Sequence, residues 1–308
     1  MTSRFMKRAE QGFSLLELMI ALTIGLFLLG ALIGSVLTAS SSGQARDRAV
    51  DVQMNGRYAL DLIKRDVQHA GFSGLTTLFD PEIAKSLSVA NVCDVTTVGR
   101  ISARIWGVDD SNPYSGSCIP DGAYAGGDVL VVRRLSASPV TPPFANNLIY
   151  YRSAYEGGKY FVGSAGAPTL PVSWPTPHGD YLLEETVYYV SPYTTSASES
   201  PRVPALYRMR LGAGPAMVPE LVASGVENMQ VRYGKFDATS GSQYFDAADI
   251  SPAGWDAISS VQISLLVRGA AQEPGYKNTT TYDIGDQGIK VNDGYRRLVF
   301  ASVVQLRN

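Results

Sequence analysis

Two cysteines and two histidines in 308 residues leave this chain little material for side-chain chemistry. A sequence so poor in cysteine is not a disulfide-dense miniprotein, and its length is enough to bury a sizeable core. A nucleophilic triad would have to use His69 or His178. Neither lies in a supporting motif, and a nucleophile elbow, HExxH and a phosphate-cradling glycine motif are all lacking, so no enzyme and no catalytic residue is expected. Charge of one sign is not in excess either. Lys and Arg number 26 against 28 Asp and Glu, a net charge of −2, which gives no reason to expect nucleic acid as a partner. Charged residues make up only 18% of the chain, below the roughly 25% of an average soluble protein. What is plentiful is Gly (30), Tyr (17) and Pro (17), a loop-rich and strand-leaning composition. The mean hydropathy of +0.01 is an average that can hide one very apolar segment beside a polar remainder.

That segment is at the amino terminus. Residues 1–12 carry Arg4, Lys7 and Arg8 against Glu10, and residues 18–45 carry no charge at all. Residues 18–36 (LMIALTIGLFLLGALIGSV) could cross a bilayer as a helix of about 28 Å. A secretory signal peptide would have a shorter apolar region, and Thr38-Ala39-Ser40 is only a passable cleavage site. A signal anchor fits the length and the basic flank. Neither explains Glu17, a lone carboxylate just ahead of the apolar run, whose burial in hydrocarbon would cost about 2.5–3.5 kcal/mol.

The run GFSLLELMIALTIGLFLLGALIGSVL resembles the class III leader of type IV pilins and type II secretion pseudopilins: a basic leader ending in Gly, an aromatic residue, a Glu four positions later, then an apolar helix. The resemblance implies that a prepilin peptidase cuts between Gly12 and Phe13 and that Phe13 is then N-methylated. It also gives Glu17 a role, as the partner of a neighbouring subunit's terminal ammonium that sets axial register in a filament. The continuation NGRYALDLIKRDVQHAGFSG, and the segments ELVASGVENMQVRYG, AISSVQISLLVRG and RRLVFASVVQLRN, are similar to the PilW group of minor pilins and to the related J-type pseudopilins.

Periodicity carries the helix beyond the span. Ala45, Ala49, Val52, Gly56, Ala59, Ile63, Val67 and Ala70 form one apolar stripe, Arg57, Lys64 and Arg65 are spaced to pair with Asp61, and Gly71 is a natural stop. Beyond it the chain reads as β: an apolar run at 129–132, alternation at 205–211, 229–233 and 261–267, and a further strand at 298–306. Alternation in 261–267 predicts one wet face. The expected fold is α+β and pilin-like, a long N-terminal helix packed on an antiparallel sheet with an enlarged β-rich head. The expected parts are a cleaved leader (1–12), a transmembrane or filament-core half-helix (13–36), an amphipathic half-helix (37–71) and a globular head (72–308) with room for two subdomains. Pro-rich stretches at 138–143, 168–177 and 191–204 read as loops.

The positive-inside rule places residues beyond 36 outside the cytoplasm, where thiols oxidise, so Cys93 and Cys118 are expected to form a disulfide; two separate buried thiols are the alternative. No cofactor is expected. Oxygen-rich loops around Asp237, Asp246 and Asp249, and at Asp283 and Asp286, could hold Ca²⁺, but solvated turns explain them more simply. Gly30 and Gly34 form a GxxxG match that allows close helix approach, although glycine is common in membrane helices. Many major pilins have Pro where this chain has Gly34, which agrees with a minor pilin. The resemblance implies a subunit held in the inner membrane with a periplasmic head, then built into the extracellular pilus near its tip. Its implied partners are the prepilin peptidase, other minor pilins, the major pilin and a tip adhesin, and its implied roles are priming assembly, adhesion and twitching motility. The alternatives are a J-type minor pseudopilin of a type II secretion system and a signal-anchored, non-polymerising periplasmic binding domain.

Overall fold

The computed structural model describes residues 14–76, 103–174, 176–211 and 217–307. Among these residues the one long helix, α1, spans Leu15–Gln68. The chain divides into two compact units, Met1–Arg48 and Ala49–Asn308. In the first, α1 begins at Leu15 and its apolar side chains are exposed from Leu15 to Ala39, Phe27 at 84%.

In the second unit α1 is amphipathic. Val52, Gly56, Ala59, Leu60, Ile63, Val67 and Ala70 are buried, while Ala45 is half-buried and Ala49 exposed, so the buried stripe starts two members later than the periodicity predicts. Lys64 reaches Asp61 at 3.8 Å, but Arg57 and Arg65 do not come within ion-pairing distance of it. Past the helix, Gly71 takes φ +81°, a conformation that glycine adopts without a Cβ penalty, and its N–H donates to Arg133 O at 2.8 Å.

Thirteen strands follow among the described residues: β1 (Ile105–Val108), β2 (Val129–Leu135), β3 (Ile149–Ala154), β4 (Gly157–Val162), β5 (Gly179–Ser191), β6 (Ala205–Leu211), β7 (Pro219–Ser224), β8 (Val226–Asp237), β9 (Gly241–Phe245), β10 (Ile258–Arg268), β11 (Thr281–Ile284), β12 (Gln287–Lys290) and β13 (Arg297–Gln305). A seven-stranded antiparallel sheet runs β1-β2-β5-β3-β4, with β6 on β5 and β7 on β6. β5 serves several neighbours because it is 13 residues long: it meets β3 through residues 179–182, and β2 and β6 through 183–191. The second sheet has the order β13-β10-β8-β9, and β11 and β12 form a hairpin.

One core joins the helical stripe, the four-stranded sheet (Val231, Ile263, Leu265) and one face of the seven-stranded sheet (Ile105, Leu130, Val190). A second core, rich in Tyr, fills the opposite face of the seven-stranded sheet. β10 departs from the expected wet face. Ser264 and Leu266, on the side opposite the helix, are buried because β11 lies against β10 and brings Ile284 with it.

Candidate functional site

The helix start is built by its own sequence. Ser14 N–H donates to Glu17 Oε2 and Glu17 N–H donates to Ser14 Oγ, both at 3.2 Å. This is a capping box, which satisfies two of the four N–H groups that an α-helix leaves unbonded at its first turn. Ser14-Leu15-Leu16-Glu17 has the S-x-x-E signature, so the cap could have been read from sequence, yet Glu17 was expected to act only between subunits. Gly12 and Phe13, the expected cleavage and methylation positions, lie outside the described residues.

Following Glu17, α1 is long and apolar enough to cross a membrane. The hydroxyls in this stretch are satisfied within the helix, Thr23 Oγ1 donating to Ile20 O and Thr38 Oγ1 to Gly34 O, each at 2.9 Å. A polar group answered by its own backbone is tolerable in hydrocarbon. Gly25, Gly30 and Gly34 have open space where a Cβ would stand. Glu17 therefore remains the one ionisable side chain between residues 11 and 45.

The other expected site residues are dispersed. Cys118 is half-buried against the second core, and Cys93 lies outside the described residues. His69 Nδ1 lies 2.7 Å from Arg65 O in the last helical turn, and His178 is exposed in a loop. Of the acidic loops, Asp237 caps its own turn, accepting from Thr239 N and Ser240 N at 2.8 and 2.9 Å, while Asp246 pairs with Arg232 at 2.8 Å.

A different acidic group comes together instead. Asp109, Asp110 and Asp128 bring one carboxylate oxygen each within 4.8 Å of one another. β1 and β2 pair as far as Val108↔Val129, which leaves Asp109 and Asp128 facing each other at the next position. Asp128 is buried and accepts from Val231 N at 2.7 Å and from Asp110 N at 3.1 Å. Burial pushes its carboxyl up to about 7, against the pull of those two N–H groups. Asp109 is raised by burial and then by the carboxylates of Asp286, Asp110, Asp246 and Asp249. Sequence reasoning missed this group because the 17 residues 111–127 separate Asp110 from Asp128, and only strand pairing unites them.

Comparison with known proteins follows the same division of the chain. The family described as Type IV Pilus-assembly protein W matches residues 187–308, and the Prokaryotic N-terminal methylation motif matches residues 7–33. Among solved structures, a type IV-like pilin from Thermus thermophilus is similar, with 14% identity over 84% of this chain and 96% of that one and a TM-score of 0.35. No curated protein matches the sequence.

Proposed function

From a type IV pilin-like chain with a PilW-type carboxy-terminal region, we propose a minor pilin that waits in the inner membrane with its Ala49–Asn308 unit in the periplasm and then enters the pilus at or near the tip. The observation that carries the reading is the methylation motif at residues 7–33 running directly into α1, with Glu17 as the sole charge in its apolar part. A prepilin peptidase would cut before Phe13 and methylate the new terminus. The helices of this subunit, other minor pilins and the major pilin would then leave lipid together, each buried carboxylate neutralised by a neighbour's ammonium. Priming of assembly, display of an adhesin and support of twitching follow from a place at the tip. In the oxidising compartment Cys93 and Cys118 pair, which alkylation of the intact protein before and after reduction would reveal.

Mass spectrometry of the mature chain tests the reading directly. We expect N-methylated Phe13 at the amino terminus, and a chain beginning near Ser41 would overturn it. Glu17→Gln refines the test, because Gln also serves the third helical position of a capping box and so keeps the cap while removing the charge. The variant is expected to be cleaved and stable but absent from sheared filaments. Filament incorporation at the wild-type level would refute the register role of Glu17.

A further inference from the structure

We propose that Asp109, Asp110 and Asp128 form a Ca²⁺ site at the junction of the two sheets. Two ligand atoms on a cation at about 2.4 Å can be at most about 4.8 Å apart, and the three carboxylate oxygens meet that limit pairwise. The donors are oxygen only, which suits a hard cation rather than zinc or copper. No Lys or Arg forms an ion pair with these three carboxylates among the described residues, so they face each other without a protein counterion.

A second observation comes from a different strand. Tyr233 on β8 is fully buried, and its hydroxyl has no hydrogen-bond partner among the described residues. The hydroxyl occupies the space over Gly107, where a Cβ would stand only 1.9 Å from it. Gly107 is in β1 and Asp109 follows the last residue of that strand, two positions on and so toward the same side, which sets the Tyr233 hydroxyl at the end of β1 where the acidic group gathers. A buried phenol costs free energy unless it is bonded, and a water on a bound cation gives it a partner.

Further ligands are at hand. The side-chain amides of Gln230 and Gln287 both touch Asp110 through their nitrogens, and either, turned over, presents its oxygen to a cation. Asp110 has φ +43°, which aims the turn after β1 back over Asp128. A cation there joins that turn, the start of β2, β8 from the four-stranded sheet and β12 from the hairpin. With three carboxylates the expected dissociation constant is about 10⁻⁴–10⁻³ M, in the range of extracellular calcium modules.

The test uses the full chain in detergent after treatment with EGTA. Terbium, a luminescent Ca²⁺ substitute, should show saturable emission excited through the nearby tyrosines and displaced by CaCl₂. Bound Ca²⁺ should raise Tm by about 3–6 °C for each tenfold excess over its dissociation constant. Asp109→Asn is expected to weaken binding at least tenfold while leaving the Ca²⁺-free Tm unchanged or higher, since like charges are separated. The double change with Asp110→Asn, a residue type that tolerates positive φ, should abolish both signals. Asp237→Asn should leave both intact. The proposal is overturned if the wild-type chain shows neither saturable terbium emission nor a Tm shift at CaCl₂ about ten times the expected dissociation constant, or if the double variant keeps them.

Discussion

Arg133 and Glu185 face each other across β2 and β5, and both side chains are buried, 2% and 0% exposed. Removing two charges from water is costly, and the pair recovers that cost only through close geometry and added hydrogen bonds. Among such bonds, Arg133 donates from Nη1 to Ala103 O at 3.2 Å. Glu185 also holds its second carboxylate oxygen without a hydrogen bond among the described residues. Breaking the pair should therefore be worse than replacing it. Glu185→Ala is expected to cost about 3–5 kcal/mol in urea unfolding, because the guanidinium is left buried without its carboxylate. Arg133→Met with Glu185→Leu should lose far less, and a double variant as unstable as Glu185→Ala would show that the pair is no special liability. Sequence alone hides this pair. Arg133 and Arg134 are adjacent and of one chemistry, yet strand alternation buries the first and leaves the second at the surface with Glu184.

At the scale of elements, helix and sheet meet closely where Gly56 passes under the ring of Phe300 on β13. A Cβ at residue 56 would stand 2.2 Å from that ring. Gly→Ala inside a helix ordinarily stabilises by about 1 kcal/mol. Here overpacking should reverse the sign, with Gly56→Ala costing about 1–3 kcal/mol, and Phe300→Leu should relieve part of that cost in a double-mutant cycle. A rise in Tm for Gly56→Ala alone would contradict the packing. The helix that makes this contact was legible because its stripe repeats at steps of three and four over several turns. β6, β8, β10 and β13 were legible from alternation. β3 and β5 were not, because Tyr150 and Tyr151, or Val187 to Val190, are buried on both faces and offer no alternation to read. At the amino terminus the apolar half of α1 was legible locally. The acidic group was not, since its residues meet through the pairing of β1 with β2.

Among the described residues, all of the buried core lies in the second unit, and this decides where the chain can be cut. Every residue of both cores lies at or beyond Val52. A chain beginning at Ala49 keeps the amphipathic half of α1 and loses the exposed apolar residues suited to lipid. It should be water-soluble without detergent, monodisperse, and retain near-UV circular dichroism and a cooperative melt. A chain beginning at Phe72 loses Val52, Leu60, Ile63 and Val67 from the main core, each contributing about 1.5–3 kcal/mol on burial. Their sum, roughly 6–12 kcal/mol, is comparable to the whole net stability of a domain, about 5–15 kcal/mol. The Tyr188 hydroxyl, which donates to Asp66 at 2.6 Å, would lose its partner in the same cut. The shorter chain should therefore aggregate or lack a cooperative transition. A stable fold from Phe72 onward would show that the sheets suffice without the helix, and an aggregating chain from Ala49 would show that the apolar half contributes to the fold as well as to anchoring.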